Sequence, residues 1–247
     1  MDFARNIRLV LSYDGSDFSG WQVQPRLRTI QETIEKALET ILKEKIRIHA
    51  AGRTDAGVHA FGQVATFNTN SVIPPDTLLK AINSMLPADV AVTVVKDAGL
   101  DFHPRYSAKS KTYAYAINMS PVKNPLFSRY ALHIKRGLDI EAMENAAHSF
   151  IGEHDFASFM GVGTPVKSTV RTVIESAIFG RGDMLYYAIK GNGFLKHMVR
   201  NIVGTLLQVG KEKMDPSDIK RIIDSRNRAE AGPTAPPHGL YLICVEY

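Results

Sequence analysis

The chain has 247 residues, 45% hydrophobic and 22% charged, a composition that builds one large or two modest globular domains and excludes a disordered or fibrous protein. No apolar run approaches the roughly 20 residues of a membrane span, and residues 1–11 lead into a strand rather than the apolar core of a signal peptide, so a cytoplasmic protein with no membrane contact is expected. The net charge of +5 hints at an anionic partner, while the single cysteine, Cys244, cannot form an internal disulfide and is expected to be a buried neutral thiol in the run LYLICVEY.

Ile7, Leu9, Leu11 and Tyr13 alternate with Arg8, Val10 and Ser12, which predicts an opening strand that turns through YDGSDFSGWQ at Asp14-Gly15 and Ser19-Gly20. Thr29 and Glu32 form a capping box for a helix whose apolar positions Ile30, Ile34, Ala37, Leu38 and Ile41 carry it to Lys45. Ile46, Ile48 and Ala50 then alternate as in a half-buried strand, and β-rich composition resumes over residues 64–67. Between these runs lies the stretch that organises the chain, RIHAAGRTDAGVHAFGQVATF over residues 47–67. Gly52 and Gly57 permit backbone angles that a side chain forbids, and they bracket Arg53, Thr54 and Asp55, with His59 and Gln63 following as further polar groups. Two readings fit: a tight turn in which Asp55 bonds its own backbone and Arg53 is solvated, or an acid presented by rigid strands at a catalytic site. A helix over residues 75–86, with Leu78, Ala81, Ile82 and Met85 on one side, and a strand over residues 90–95 complete a βαββαβ order. That order is the split βαβ, ferredoxin-like arrangement, a mainly antiparallel sheet with helices on one face.

Residues 102–138 contain seven cations (Arg105, Lys109, Lys111, Lys123, Arg129, Lys135 and Arg136) and no carboxylate. Phe102, Tyr106, Tyr113, Tyr115, Phe127 and Tyr130 are threaded among them. Cations of this kind hold phosphates and aromatic faces take unstacked bases; the same pattern also fits a solvated strand face whose aromatics point into a core. Strands over residues 112–119 and 129–134 precede a helix that Asp139 caps and that runs past Met143, Ala147 and Phe150. The glycine-rich segment 152–172, with Lys167 and Arg171, reads equally as a mobile cover or as an exposed hairpin without function. A hairpin over residues 168–179 and 184–190, turned at residues 180–183, leads to helices over 194–209 and 215–224 and a closing strand over 240–247. The fold class is therefore α+β, in two related domains, residues 1–105 and 106–247. In the helix GNGFLKHMVRNIVGTLL, Arg200 lies among apolar positions and needs a partner carboxylate, either Asp55 or some other acid.

Several chemistries find no support. Eight histidines lack HExxH spacing and one cysteine makes no CxxC pair, so no zinc or other metal is expected. Neither a dinucleotide loop nor a GxxxxGK[ST] loop is present, and the absence of a GxSxG elbow leaves a carboxylate, Asp55, as the best available nucleophile or base.

The segments AGRTDAGVHA, YDGSDFSGWQ, DFHPRYSAKSKTYAY, FLKHMVRNIVG and GLYL resemble the tRNA pseudouridine synthase A (TruA) family in order and spacing, across nearly the whole chain. By that resemblance the catalytic aspartate is Asp55, its neighbouring arginine Arg53, the base-stacking tyrosine Tyr113, the aspartate-pairing arginine Arg200 and the site leucine Leu240. The resemblance implies a homodimer that works without cofactors on uridines at positions 38–40, on the 3′ side of the tRNA anticodon arm, in an active-site cleft between the domains. His59, Arg105, Lys109 and Lys111 are expected to bind the substrate as well. Two rivals stand beside this reading: a non-catalytic RNA-binding protein or chaperone that uses the basic strip, and an enzyme acting on free nucleosides or sugars through Asp55.

Overall fold

The computed structural model describes residues 4–135, 137–163 and 166–247, so Arg136 of the basic strip and residues 164–165 of the glycine-rich segment lie outside the described residues. The chain divides into two compact units, Met1–Lys109 together with Tyr241–Tyr247, and Ser110–Leu240. A division at 105/106 would leave the last strand with the second domain; it packs with the first.

The first unit runs β1 (Arg5–Tyr13), α1 (Ile30–Leu42), β2 (His49–Ala50), β3 (His59–Thr69), α2 (Pro75–Met85) and β4 (Val90–Ala98), which is the predicted βαββαβ order. β1 is central and antiparallel to both neighbours, with Leu9 opposite Ala65 of β3 on one side and Val95 of β4 on the other. β2 pairs antiparallel with the far edge of β3, giving the order β4-β1-β3-β2. Along β1, Ile7, Leu9 and Leu11 are wholly buried while Arg8, Val10 and Ser12 are partly exposed, so one face of the sheet makes the core with Ile30, Ile34 and Leu38 of α1 and Leu78 and Ile82 of α2. On the same edge of β3 as β2, the final strand β10 (Leu240–Glu246) pairs in parallel, Tyr241 with His59 and Leu242 with Ala60.

Local chemistry explains where the elements depart from their predicted bounds. The Thr29 side chain accepts from the Glu32 N–H at 3.4 Å, but the Glu32 carboxylate turns to Lys36 at 2.9 Å, so only half of the capping box forms. α1 stops at Leu42 because Lys43 takes a left-handed φ of 56° and closes its N–H on the Glu39 carbonyl. Ile46 and Ile48 are buried as their alternation predicts, yet their N–H groups go to the carboxylates of Glu39 and Glu35 rather than to a strand, which leaves β2 two residues long. Met85, predicted on the apolar side of α2, is 47% exposed. Cys244 is only partly buried, because the inward positions Leu240 and Leu242 come before the covered part of β10 gives out.

The second unit contains β5 (Ser110–Asn118), β6 (Leu132–His133), α3 (Ile140–His148), β7 (Gly152–Asp155), β8 (Val170–Arg181), β9 (Met184–Gly191), α4 (Met198–Gly210) and α5 (Asp218–Ser225). Its sheet has the antiparallel order β5-β9-β8-β7, and β6 adds in parallel to β5. β5 beside β9 beside β8 repeats the placement of β1 beside β3 beside β2, and α3 and α4 follow β5 and β9 in the chain as α1 and α2 follow β1 and β3. The 152–172 segment is not a cover over its first half: β7 pairs with β8, and Phe156 and Phe159 are wholly buried around the single helical turn Ala157–Phe159. α5 starts three residues late because the Asp215 side chain folds back on the Ser217 N–H at 2.8 Å and holds a turn in front of it. No helix among the described residues is long and apolar enough to cross a membrane.

Candidate active site

The Asp55 loop joins β2 to β3, and its shape follows from a few backbone contacts. Residues 55–58 make a turn in which the Val58 N–H donates to the Asp55 carbonyl at 3.2 Å and Gly57 takes a positive φ of 77°, the angle that favours glycine. Gly52 is not among the glycines with positive φ; its part is its carbonyl, which accepts from Gln63 Nε2 at 2.7 Å. The loop is then buttressed by the other glycine-punctuated loop, YDGSDFSGWQ. The Trp21 N–H donates to the Thr54 carbonyl at 3.0 Å, and the Tyr13 hydroxyl lies 2.9 Å from Thr54 Oγ1. A Cβ at Gly20 would stand 2.8 Å from the Thr54 carbonyl oxygen, and one at Gly15 would stand 2.0 Å from that of Val58, so two backbones meet where only glycine fits.

Behind the loop, burial pushes the Tyr13 hydroxyl up to about 12, partly offset by its bonds to Thr54 and Gln63, so it stays protonated as a link between them. Gln63 is wholly buried on β3, and its Oε1 is the one buried side-chain polar atom among the described residues without a hydrogen-bond partner. Such an atom costs about 1–3 kcal/mol, so the two bonds of Nε2, to Gly52 and at 3.5 Å to Tyr13, carry this side chain's contribution to the loop.

His59, expected to touch substrate, is 2% exposed because β3 begins there rather than at Val64. Its Nδ1 lies 3.1 Å from both the Gly15 N–H and Asp14 Oδ1, and its ring stacks on Tyr241 at 4.8 Å. The residue clasps the two loops and β10 together. Arg53 is exposed and Asp55 is half-buried.

In the second unit the two candidate tyrosines of β5 have separate fates. Tyr115 is wholly buried, donates its hydroxyl to the Pro236 carbonyl at 2.8 Å, and leaves no room at Gly239, where a Cβ would stand 2.7 Å from its ring. Burial pushes its hydroxyl well above the ordinary range, against a partial downward pull from the Arg200 charge. Tyr113 is 9% exposed and meets Phe194 edge-on, with ring centres 5.2 Å apart. Leu240 is buried just after the Pro237–Gly239 turn. Arg200, half-buried on α4, donates Nε to the Ala235 carbonyl at 2.8 Å and accepts the Ala235 N–H at its own carbonyl at 3.0 Å, so a carbonyl meets part of the demand ascribed to a carboxylate.

The support of Arg200 went unseen in the sequence. Asn201 Oδ1 accepts from Thr234 Oγ1 at 2.6 Å and Arg228 at 3.0 Å, while Arg228 also reaches the carbonyls of Ala231 and Gly232. Gly204 lets the Pro233 carbonyl approach to 1.6 Å of where a Cβ would be. Polar Asn201 and Thr205 flanking a glycine on an otherwise apolar helix was the available signal.

The basic strip resolves into a mixture of its two readings. Arg105, Lys109, Lys123, Arg129 and Lys135 are exposed and Lys111 is partly so, with Tyr106, Phe127 and Tyr130 also exposed, whereas Tyr113 and Tyr115 are buried. Among the described residues there is no group of three or more His, Cys, Asp or Glu able to hold a metal ion.

A family model described as tRNA pseudouridine synthase matches residues 9–107 and 146–247. The chain belongs to this family of isomerases, RNA-modifying enzymes built on an α+β fold. Its relatives include the tRNA pseudouridine synthase A of Acetivibrio thermocellus, 44% identical over 98% of this chain and 100% of that one. That of Geotalea uraniireducens is 44% identical with the same coverage, and that of Halalkalibacterium halodurans is 45% identical over 96% of this chain and 90% of its own. Among solved structures, the crystal structure of a Cbf5-Nop10-Gar1 complex is similar at 15% identity and a TM-score of 0.31, over 81% of this chain and 54% of that one, a likeness too slight to carry an argument.

Proposed function

We propose that this chain isomerises uridine to pseudouridine at positions 38–40 of the tRNA anticodon arm, with Asp55 as nucleophile or base. What supports the reaction is identity of 44% to named tRNA pseudouridine synthases A over 98% of the chain. What supports Asp55 is the buttressed turn, whose backbone over residues 54–58 is held by contacts with the YDGSDFSGWQ loop. The chemistry breaks the N1–C1′ bond, turns the base and forms C5–C1′; the C5 proton leaves and N1 gains one, so atoms balance and no electron is transferred. A carboxylate serves either by attacking C1′ or by removing the C2′ proton to give a glycal. Carried over from the family, Tyr113 supplies a stacking face for the extruded base, Arg200 a cation that favours an ionised acid, Leu240 an apolar wall and Arg53 a contact to the substrate. The exposed Arg105 and Lys109 and the partly exposed Lys111 hold phosphates. The enzyme works as a homodimer in the cytoplasm, as is consistent with tRNA-modifying bacterial relatives.

Release of tritium from C5-labelled uridine in a tRNA transcript, without added cofactor, tests this. The wild type should release it from tRNA and not from free uridine, and Asp55→Asn should abolish release while tRNA affinity and melting temperature stay close to wild type. Substantial turnover by Asp55→Asn would overturn the assignment of the acid, and a wild type that binds tRNA without releasing tritium would favour a binding protein.

A further inference from the structure

We propose that the turn over residues 103–107 presents Tyr106 as a stacking platform for one unpaired base of single-stranded RNA, with Arg105 taking the adjoining phosphate. The inference rests on the RNA reading above and adds a binding site on the turn that follows β4.

Tyr106 is 79% exposed, and what sets it apart from an ordinary surface aromatic is the scaffold beneath it. His103 Nδ1 accepts from the N–H groups of Arg105 at 3.1 Å and Tyr106 at 3.4 Å, and the turn closes through the Ser107 N–H on the His103 carbonyl at 2.9 Å. Two bonds to the C-terminal strand hold the segment in place: the Tyr247 hydroxyl donates to the Pro104 carbonyl at 2.8 Å, and the Lys109 N–H to the Glu246 carbonyl at 2.8 Å. A mobile loop would need none of these.

The rings form a row. Tyr106 lies 4.4 Å from His103, and His103 lies 5.8 Å from His49, centre to centre. Because Nδ1 accepts, the His103 proton sits on Nε2; burial first, then the charges of His49 and Arg105, hold its pKa below the usual histidine value, so the ring backing Tyr106 is neutral near pH 7. The Arg105 guanidinium stands 5.9 Å from the Tyr106 ring centre, at the edge of cation–π range. A flat ring with a cation at its side, at the head of a stretch free of carboxylates from residue 102 to 138, matches a planar base joined to a phosphate. An acidic protein surface would satisfy the cation but leave the ring without a face to meet.

A Tyr106→Trp variant provides a reporter at the platform, since the sole native tryptophan, Trp21, is 2% exposed. Single-stranded oligouridylate should quench the added fluorescence, while RNA duplex and inorganic polyphosphate at equal phosphate concentration should not. Tyr106→Leu should weaken tRNA binding by about 5- to 150-fold at fixed salt, with kcat at saturating tRNA and the melting temperature unchanged, and Tyr106→Phe should stay within about twofold of wild type. Equal quenching by polyphosphate would reduce the patch to a cation site, and unchanged tRNA affinity in Tyr106→Leu would remove the platform; either result overturns the proposal. Failure of the wild type to release tritium would overturn the isomerase reading alone, because quenching and affinity are read without turnover.

Discussion

Replacing Gly20 by alanine adds one methyl group against the backbone that carries Asp55, and the structure sets the size of the disturbance. The new Cβ would lie 2.8 Å from the Thr54 carbonyl oxygen, 3.1 Å from the Ala56 nitrogen and 3.2 Å from the Asp55 carbonyl carbon. Relieving the first contact to an ordinary 3.4 Å moves the Thr54–Asp55 peptide by about 0.6 Å, because both sides of the contact are backbone. A misplacement of about 1 Å at a catalytic group costs on the order of a hundredfold, so about 0.6 Å should lower kcat by roughly tenfold or more. Gly20 also has a φ of 89°, and an alanine there adds about 1–2 kcal/mol of backbone strain, roughly 2–8 °C in melting temperature for a chain of this length. Single-turnover tritium release at saturating tRNA, well below the melting transition, isolates the first effect, and tRNA affinity should change less than twofold. Gly182→Ala is the control, since φ is 61° there but nothing lies within 4 Å of the new Cβ. It should lose similar stability and keep its rate. A wild-type rate in Gly20→Ala, or an equal loss in Gly182→Ala, would refute the argument that the second loop positions the acid.

Charge reversal of both Lys109 and Lys111 should weaken all tRNAs alike and flatten the dependence of log affinity on log salt by roughly 0.7–0.9 per lost phosphate contact; an unchanged slope in a salt titration would place the phosphates elsewhere. Alkaline stability should report on Tyr13, whose hydroxyl is raised from 10.0 to about 12. A raised folded-state value means that its contribution is complete below pH 10 and is lost between about pH 10 and 12, at up to about 1.4 kcal/mol per pH unit. Urea unfolding across that range should be less steep in pH for Tyr13→Phe than for wild type, with the remaining slope from Tyr115, Tyr187 and Tyr247, which burial shifts the same way.

Periodic features were legible in the sequence because period alone specifies them. Ile7, Leu9 and Leu11 fix the inner face of β1, and Ile30, Ile34 and Leu38 that of α1, so the βαββαβ order of the first unit followed directly. The Asp55 loop was legible because a glycine pair around an acid is a local signal. Its support was not, since the contact of Gly15 and Gly20 with residues 54–58 joins segments about forty residues apart that carry no shared pattern. The burial of His59 was hidden for a related reason: a polar residue after a loop looks exposed, and only its pairing with Tyr241 of β10 shows that it opens a strand. Tyr113 and Tyr115 share one face of one strand in the sequence pattern, and only the contacts of residues 236–239, the Pro236 carbonyl and the close approach of Gly239, make the second an anchor.

The parallel pairing of Tyr241 and Leu242 with His59 and Ala60 has a consequence for how the protein is made. The ribosome delivers the Asp55 turn early and this flanking strand only after every residue of the second unit. Until then the edge of β3 beside the turn is bare, and the His59 ring lacks the Tyr241 ring on which it rests. The first unit therefore cannot mature by itself during synthesis. Its β3 edge beside the turn stays open until residues 241–242 arrive, and docking them closes a loop the length of the whole second unit. A nascent chain thus gains the strand that flanks its acid-bearing loop only after residues 241–242 have been synthesised, rather than as soon as the loop itself has been.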